Sequence, residues 1–568
     1  MTGPLRIGNA SGFYGDRFSA LAEMIDGGEL DVLTGDYLAE LTMLILGRDR
    51  LKDPNLGYAK TFLRQLEEAL GPALERGVRI VSNAGGLNPA GLAAAIGELA
   101  GRLGLQPRIG YVAGDDVRSL AAEHGLGEPL TANAYLGGWG IAECLAGGAD
   151  IVVTGRVTDA SLVVGPAAAH FGWTRQSYRE LAGAVVAGHV IECGTQATGG
   201  NYSFFGELAE LADLVHPGFP IAEVAADGSS VITKHPGTGG AVTVGTVTAQ
   251  LLYEIAGPRY LGPDVTARFD TIQLRQAGPD RVAISGVIGE PPPPTVKVSL
   301  NSIGGFRNQV DFVLTGLDIE AKAALVRKQL AGVRADSVEW TLQRTDQPDP
   351  SSEAAASATL RCVVRDANPD VIGRRFSDAA VQLALASYPG FHLTAPPGAA
   401  QPYGVFEAGY LAASLVEQVA VLPDGTRVNV EPPAEFADPV DYPELPEPVL
   451  PGALPAGPTR RGPLGRLIGA RSGDKGGSAN LGVWVPDARL LPWLAATLTV
   501  DRLRGLLPEL AELRIDRYVL PKLSAINFVI DGLLGRGVAY NARFDPQAKA
   551  LGEWLRARYV ELPEEFLR

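Results

Sequence analysis

The chain has 568 residues, more than one hydrophobic core usually holds, so two or three domains of ordinary size are expected. Apolar residues make up 46% and charged residues 20%, the balance of a packed globular protein and not of a disordered or fibrous one. A net charge of −15 without any Lys/Arg cluster argues against nucleic acid as a partner, while a local nest of backbone N–H groups can still hold an anionic small molecule.

Three cysteines, Cys144, Cys193 and Cys362, are too few and too scattered for a disulfide framework or a thiolate metal site. A reducing compartment fits them. Met1 to Asn9 lacks a basic-then-apolar leader and no apolar run reaches transmembrane length, so a cytoplasmic protein without a membrane partner is expected.

Over the first 250 or so residues, short apolar runs alternate with Ala/Leu-rich helical stretches, which predicts parallel strands joined by crossover helices. Strands are expected at 5–8, 30–34, 78–83, 108–112 and 151–154, with helices at 17–24, 57–70 and 89–103. Each strand runs into a polar, glycine-bearing turn, and in an open parallel sheet such turns gather at the carboxyl edge, where ligands bind. From 264 to 371 the texture becomes alternating, with strands expected at 295–300, 310–314 and 359–364 and a helix at 320–331. Dense Pro and Glu follow over 432–464 and read as a semi-rigid linker. Beyond it, strands at 464–468, 479–485, 512–519 and 525–530 and helices at 499–507 and 546–558 suit a small two-layer ferredoxin-like domain.

The expected fold class is therefore α/β: a large parallel-sheet N-terminal domain over 1–260 and an α+β middle part over 261–450. A Pro-rich linker at 451–461 leads to a small C-terminal α+β ferredoxin-like domain over 462–568.

The turns supply candidate site residues. In Gly8-Asn9-Ala10-Ser11-Gly12-Phe13-Tyr14-Gly15-Asp16, Asn9 and Ser11 are candidate substrate contacts, but the glycine spacing of a dinucleotide or phosphate loop is missing and no cofactor is assigned. Asn83, Gly85 and Gly86 lie in a turn that Asn88 and Pro89 continue as an N-cap and first helical residue, leaving the first three for anion or carbonyl binding. Asp36 and Glu40 read as a solvated pair of acids. Arg156 and Asp159 follow an apolar strand, where the guanidinium can grip a carboxylate or phosphate, or else pair with Asp159 as a helix cap.

The stretch from His189 to Asn201 is the densest in chemistry. His189 and Glu192, three apart, share one face of a helix and are the candidate acid/base pair; Cys193 is either a nucleophile or a buried inert thiol, and Asn201 is a candidate ligand contact. Lys234 and His235 precede a glycine-rich run and an alternating segment at 241–247, with no second ligand at metal spacing. Arg471, Asp474 and Lys475 crowd a glycine-rich loop between two strands of the small domain and are expected to meet the large domain or the ligand. Asn527 to Gly537 is a lesser loop of the same kind.

Ile7-Gly8-Asn9-Ala10-Ser11-Gly12-Phe13, Ser82-Asn83-Ala84-Gly85-Gly86, Thr154-Gly155-Arg156-Val157-Thr158-Asp159, Glu192-Cys193-Gly194 and Asn201-Tyr202, in that order, resemble the acyclic terpene utilisation (AtuA-like) family. Residues 462–568, with Arg471-Ser472-Gly473-Asp474-Lys475-Gly476, resemble the small ferredoxin-fold domain that often follows it. The resemblance implies breakdown of citronellol- and geraniol-type terpenes, beside acyl-CoA carboxylase and hydratase steps.

These readings combine into an expected cofactor-independent and metal-free lyase or hydratase on a branched acyl-CoA, acting as a homo-oligomer. His189 or Glu192 is the acid/base, and Arg156 holds a carboxylate. The alternatives are a Cys193-dependent hydrolase or acyl transferase, and a non-catalytic subunit that presents acyl-CoA to a carboxylase.

Overall fold

The computed structural model describes residues 3–443, 445–450 and 452–567; the side chains of Glu40 and Leu41 lie outside that description. Contacts divide the chain into two units, one of residues 1–301, 406–538 and 547–568, the other of 302–405 and 539–546. No described helix is long and apolar enough to cross a membrane.

In the first unit the chain runs β1 (Leu5–Asn9), α1 (Ala20–Asp26), β2 (Val32–Gly35), α2 (Glu40–Lys52), α3 (Lys60–Glu75), β3 (Arg79–Ser82), α4 (Pro89–Arg102) and β4 (Ile109–Ala113). It continues through α5 (Arg118–Glu123), β5 (Thr131–Ala134), α6 (Trp139–Ala146), β6 (Ile151–Thr154), α7 (Ser161–Phe171), α8 (Tyr178–Ile191), β7 (Pro220–Val224) and β8 (Ser230–Lys234). β1, β2, β3, β6 and β4 lie side by side in that order and pair in parallel. Antiparallel strands extend this core on both sides: β7, β8, Arg281–Ser285 and Gln273–Gly278 beyond β1, and Gln418–Val421 and Arg427–Val430 beyond β4.

The central strands read as unbroken apolar runs because both faces are covered. Leu33, Ile80, Ile151 and Val153 face a core shared with Leu21, Phe62, Leu66, Leu92 and Ile96 of α1, α3 and α4. Val32, Val81 and Val152, the alternate residues, face a second core with Ile141, Leu162, Val163 and Val186 of α6, α7 and α8. α4 begins as the sequence predicts, with Pro89 at its first turn and Asn88 accepting from the Gly91 N–H at 2.9 Å. The segment 241–247 departs from its alternating pattern: Thr243 and Thr246 form a capping box and start the helix Val244–Leu251. Reciprocal capping of two backbone N–H groups outweighs the β-propensity of the Val and Thr residues there.

The C-terminal residues of this unit form a four-stranded antiparallel sheet in the order Gly469–Lys475, Ser478–Trp484, Ala525–Ile530, Ile515–Leu520. Leu481, Val483, Leu494, Leu503, Phe528 and Leu555 fill its core. Two expectations change here. Residues 464–468 are not a strand, Leu464–Arg466 forming a 3-10 turn, and the charged loop at 470–480 is itself two paired strands joined at Gly476-Gly477, with φ 66° at Gly476. Of the segment expected as a linker, residues 444 and 451 lie outside the described residues, and 459–461, in the strand Thr459–Pro463, pair with residues 561–563.

In the second unit, the strand Ser357–Asp366 pairs antiparallel with Ser337–Gln343 on one side and with residues 306–315 on the other. Ile319, Ala323 and Val326 from the helix Ile319–Gln329, with Phe376 and Ala380 from Arg374–Val381, pack on Phe312, Leu360 and Cys362 to make its core.

Candidate active site

The turns after the parallel strands do converge at one edge. After β2, Asp36 is 5% exposed, so it is not the solvated acid its sequence suggests; its Oδ1 accepts from Asn83 Nδ2 at 2.6 Å and from the Leu38 N–H at 3.2 Å. The side chain of Glu40, its expected partner, lies outside the described residues. Ser11 Oγ lies 3.0 Å from both the Asp36 and the Phe13 carbonyl oxygens, between which its one hydrogen is shared. After β4, the buried Asp115 accepts from Asn133 Nδ2 at 2.8 Å and from the Arg156 N–H at 2.9 Å. After β6, Arg156 lies over the Tyr135 ring and donates from Nη1 to the Leu38 carbonyl and to Asp159 Oδ1, both at 2.9 Å. The Arg156–Asp159 pair of the sequence reading therefore forms within this buried network, with Arg156 also holding backbone.

His189 and Glu192 reach the same edge from the end of α8. Every residue of α8 from Leu181 to Ile191 is buried, so the last turn carries His189 into the interior and Glu192 follows as the C-cap. Asn9 fixes that end: its Nδ2 donates to the carbonyls of Ile191 at 2.6 Å and Glu192 at 3.0 Å, and its Oδ1 accepts from Thr34 Oγ1 at 3.0 Å. Gly12 is needed for the same approach, since a Cβ there would stand 2.5 Å from the Cys193 carbonyl carbon.

The imidazole of His189 is boxed by Tyr260 and Phe269, with ring centroids 5.2 Å and 5.4 Å away. His189 Nδ1 stands 3.2 Å from Glu192 Oε1, off the hydrogen-bond direction; among the described residues neither ring nitrogen nor Glu192 Oε2 has a hydrogen-bond partner. Burial, with Lys475 nearby, pushes His189 down to about 4. Burial, reinforced by Asp159 and Glu254, raises Glu192 well above the usual carboxylate range. Both shifts favour the neutral forms, an uncharged imidazole beside a protonated carboxyl. Burial and the neighbouring Asp159 likewise raise Asp36, while burial and Glu192 raise the Cys193 thiol, which disfavours a thiolate.

The cation on the other side comes from the small domain. Lys475, at the end of its first strand, donates from Nζ to the Glu254 carbonyl at 2.7 Å and lies 5.8 Å from the Tyr260 ring centre. Asn480 of the paired strand accepts from the Glu254 N–H at 2.7 Å and donates to the Leu252 carbonyl at 2.8 Å. This clamp holds Glu254 in the left-handed region at φ 55°, a conformation that a non-glycine residue adopts only when its surroundings impose it. Arg471 packs on the Tyr253 ring at 4.3 Å and donates to Gln196 Oε1; Lys549 also bonds the Tyr253 hydroxyl. Asp474, paired across the hairpin with Ala479, is half-buried. Among the described residues no group of three or more His, Cys, Asp or Glu is arranged to hold a metal ion.

The remaining candidates lie apart from this centre. Lys234 Nζ donates to the Thr238 carbonyl at 2.7 Å and pairs with Asp280 at 3.2 Å. His235 packs on Gly27 and Gly28 with Nε2 2.9 Å from the Met24 carbonyl, at the end of α1. Asn201 is exposed and takes φ 58°, with its carbonyl facing Arg471. Gly85 and Gly86 are packing positions: a Cβ would stand 2.4 Å from the Thr154 carbonyl oxygen and 2.4 Å from Leu46 respectively. Sequence reasoning missed Glu254, Tyr260 and Tyr253, which follow a helix in no recognisable motif; their only local signal is a Tyr-Glu pair after an apolar run.

Residues 5–422 match the family described as acyclic terpene utilisation family protein AtuA, and residues 462–561 match the AtuA ferredoxin-like domain. No curated protein matches the chain. The first match spans most of the chain and contains every turn of the parallel edge, and the second contains the hairpin that carries Lys475. The chain belongs to the acyclic terpene utilisation family.

Proposed function

We propose that this protein is a hydratase or lyase acting on a branched, unsaturated or β-hydroxylated acyl thioester, with the His189–Glu192 pair moving the protons. The observation that carries this reading is the pair itself: two buried titratable groups 3.2 Å apart, one driven to give up a proton and the other to keep one. In the hydration direction, neutral His189 takes a proton from water as the hydroxyl adds to the β-carbon, and protonated Glu192 gives its proton to the α-carbon. A proton then passes from His189 to Glu192, and the pair returns to its starting state. Water and alkene are consumed, one alcohol is formed, and the pair's net charge is zero before and after. Lys475 and Arg156 supply positive charge beside the enolate-like oxygen that develops on the thioester.

The Cys193 nucleophile reading is less favoured, because burial and Glu192 oppose the thiolate it needs. The test is mass spectrometry of a panel of branched acids, free and thioester-linked, incubated with the purified chain. Gain or loss of one water on a thioester, abolished in Glu192→Gln, supports the proposal. A covalent acyl adduct on Cys193, or conversion that survives in both His189→Gln and Glu192→Gln, overturns it.

A further inference from the structure

The same strand edge holds a concavity, about 290 Å³ in volume, among Arg50, Leu51, Leu87, Arg118, Leu130 and Asn133. Its floor is polar and unsatisfied. Asn133 is 1% exposed and gives its Nδ2 to Asp115, while its Oδ1 has no hydrogen-bond partner among the described residues. A buried amide oxygen in that position calls for a donor from a ligand. Leu87 and Leu130 make an apolar wall. The rim is cationic: Arg118 grips Asp116 through Nε at 2.9 Å and Nη2 at 2.8 Å, and Arg50 donates to the Leu87 carbonyl at 2.9 Å and stands 3.7 Å from Asp116. At the rim two guanidiniums stand against the one carboxylate of Asp116.

The cavity therefore offers an acceptor at its floor, a hydrocarbon wall and a cation at its mouth. Asp115, which holds Asn133, also accepts from the Arg156 N–H, so the floor and the candidate active site share one carboxylate. We propose that this cavity binds the phosphorylated pantetheine arm of the acyl thioester, an inference that rests on the thioester reading above. An amide N–H of the arm donates to Asn133 Oδ1, its dimethyl segment packs on Leu87 and Leu130, and its phosphate meets Arg50 and Arg118.

Calorimetric titration of the full chain with coenzyme A, pantetheine and inorganic phosphate tests it. Coenzyme A is expected to bind roughly tenfold more tightly than pantetheine, the worth of a charge-assisted contact. Arg50→Gln should bring the two affinities together by weakening coenzyme A alone. Leu51→Glu, at a position 68% exposed and so harmless to folding, should weaken coenzyme A by placing an anion at the mouth. If coenzyme A binds the wild type and both variants equally, the cavity is not its site, although the thioester reading stands. If the wild type binds neither coenzyme A nor pantetheine, the thioester reading falls and this inference with it. Binding of inorganic phosphate without pantetheine would make the cavity a simple anion site and overturn the assignment.

Discussion

Two buried histidines sit beside glycine-rich turns in this protein, and they live in different chemistry. His189 is boxed by aromatic rings, lies 3.2 Å from a carboxyl and faces a lysine from the small domain. His235 is equally buried, but its Nε2 meets a backbone carbonyl and its ring fills the space over two glycines. Burial lowers the proton affinity of both. The difference lies in what the neighbouring group can exchange: a carboxyl can take or give a proton, whereas a backbone carbonyl only orients the ring.

The contrast is sharpest in turnover. On a thioester that the wild type converts, His189→Gln or Glu192→Gln is expected to lose roughly 10²–10⁴-fold in kcat, the usual worth of a positioned acid or base. His235→Gln should keep kcat within a few fold and cost about 1 kcal/mol of stability, one hydrogen bond, measured by urea unfolding. Comparable kcat losses at both positions would erase the distinction.

Glycines beside the two histidines give a second test. Gly12→Ala must push its new Cβ into the Cys193 backbone and is expected to cost about 1–3 kcal/mol together with activity, because the end of α8 shifts. Gly237→Ala, at φ 77° with open space around it, should cost about 1 kcal/mol through its left-handed backbone alone and leave kcat intact.

A third test uses acid. His189 titrates at about 4 in the fold against 6.5 when unfolded, so below pH 6.5 the unfolded chain binds a proton that the fold refuses. That stabilisation is present above 6.5 and is lost as pH falls. Between pH 7 and pH 5 the wild type should lose about 2 kcal/mol that His189→Gln does not lose, read from paired denaturant curves. Identical pH slopes would mean that His189 is not held neutral. The smallest effect is expected from Cys193→Ser, which should retain kcat within a few fold; its complete inactivation would return the thiol to the chemistry.

How much of this was legible follows from locality. The parallel edge was readable because each apolar strand and its polar turn are contiguous, and the i, i+3 spacing of His189 and Glu192 put them on one helical face. The helix Val244–Leu251 was not, since its β-branched residues imitate a strand and only the reciprocal Thr243–Thr246 cap decides otherwise. Glu254 was invisible because its significance comes from Lys475 and Asn480, more than two hundred residues away. His235 looked like a site for the opposite reason: of the glycines that suggest a ligand loop, Gly239 and Gly240 pack against backbone carbonyls and Gly237 makes a left-handed turn.

The hairpin that bears Lys475 also bears on how the protein is made. A ribosome delivers Glu192, with Asp159 and Glu254 around it, long before it delivers Lys475. Until the small domain emerges, Arg156 is the only one of the two cations acting on Glu192 that is already made, so burying that carboxyl favours its protonated form still more. The small domain acts as the keystone of a vault whose other stones are already cut, and the centre gains its electrostatics only when that domain is in place.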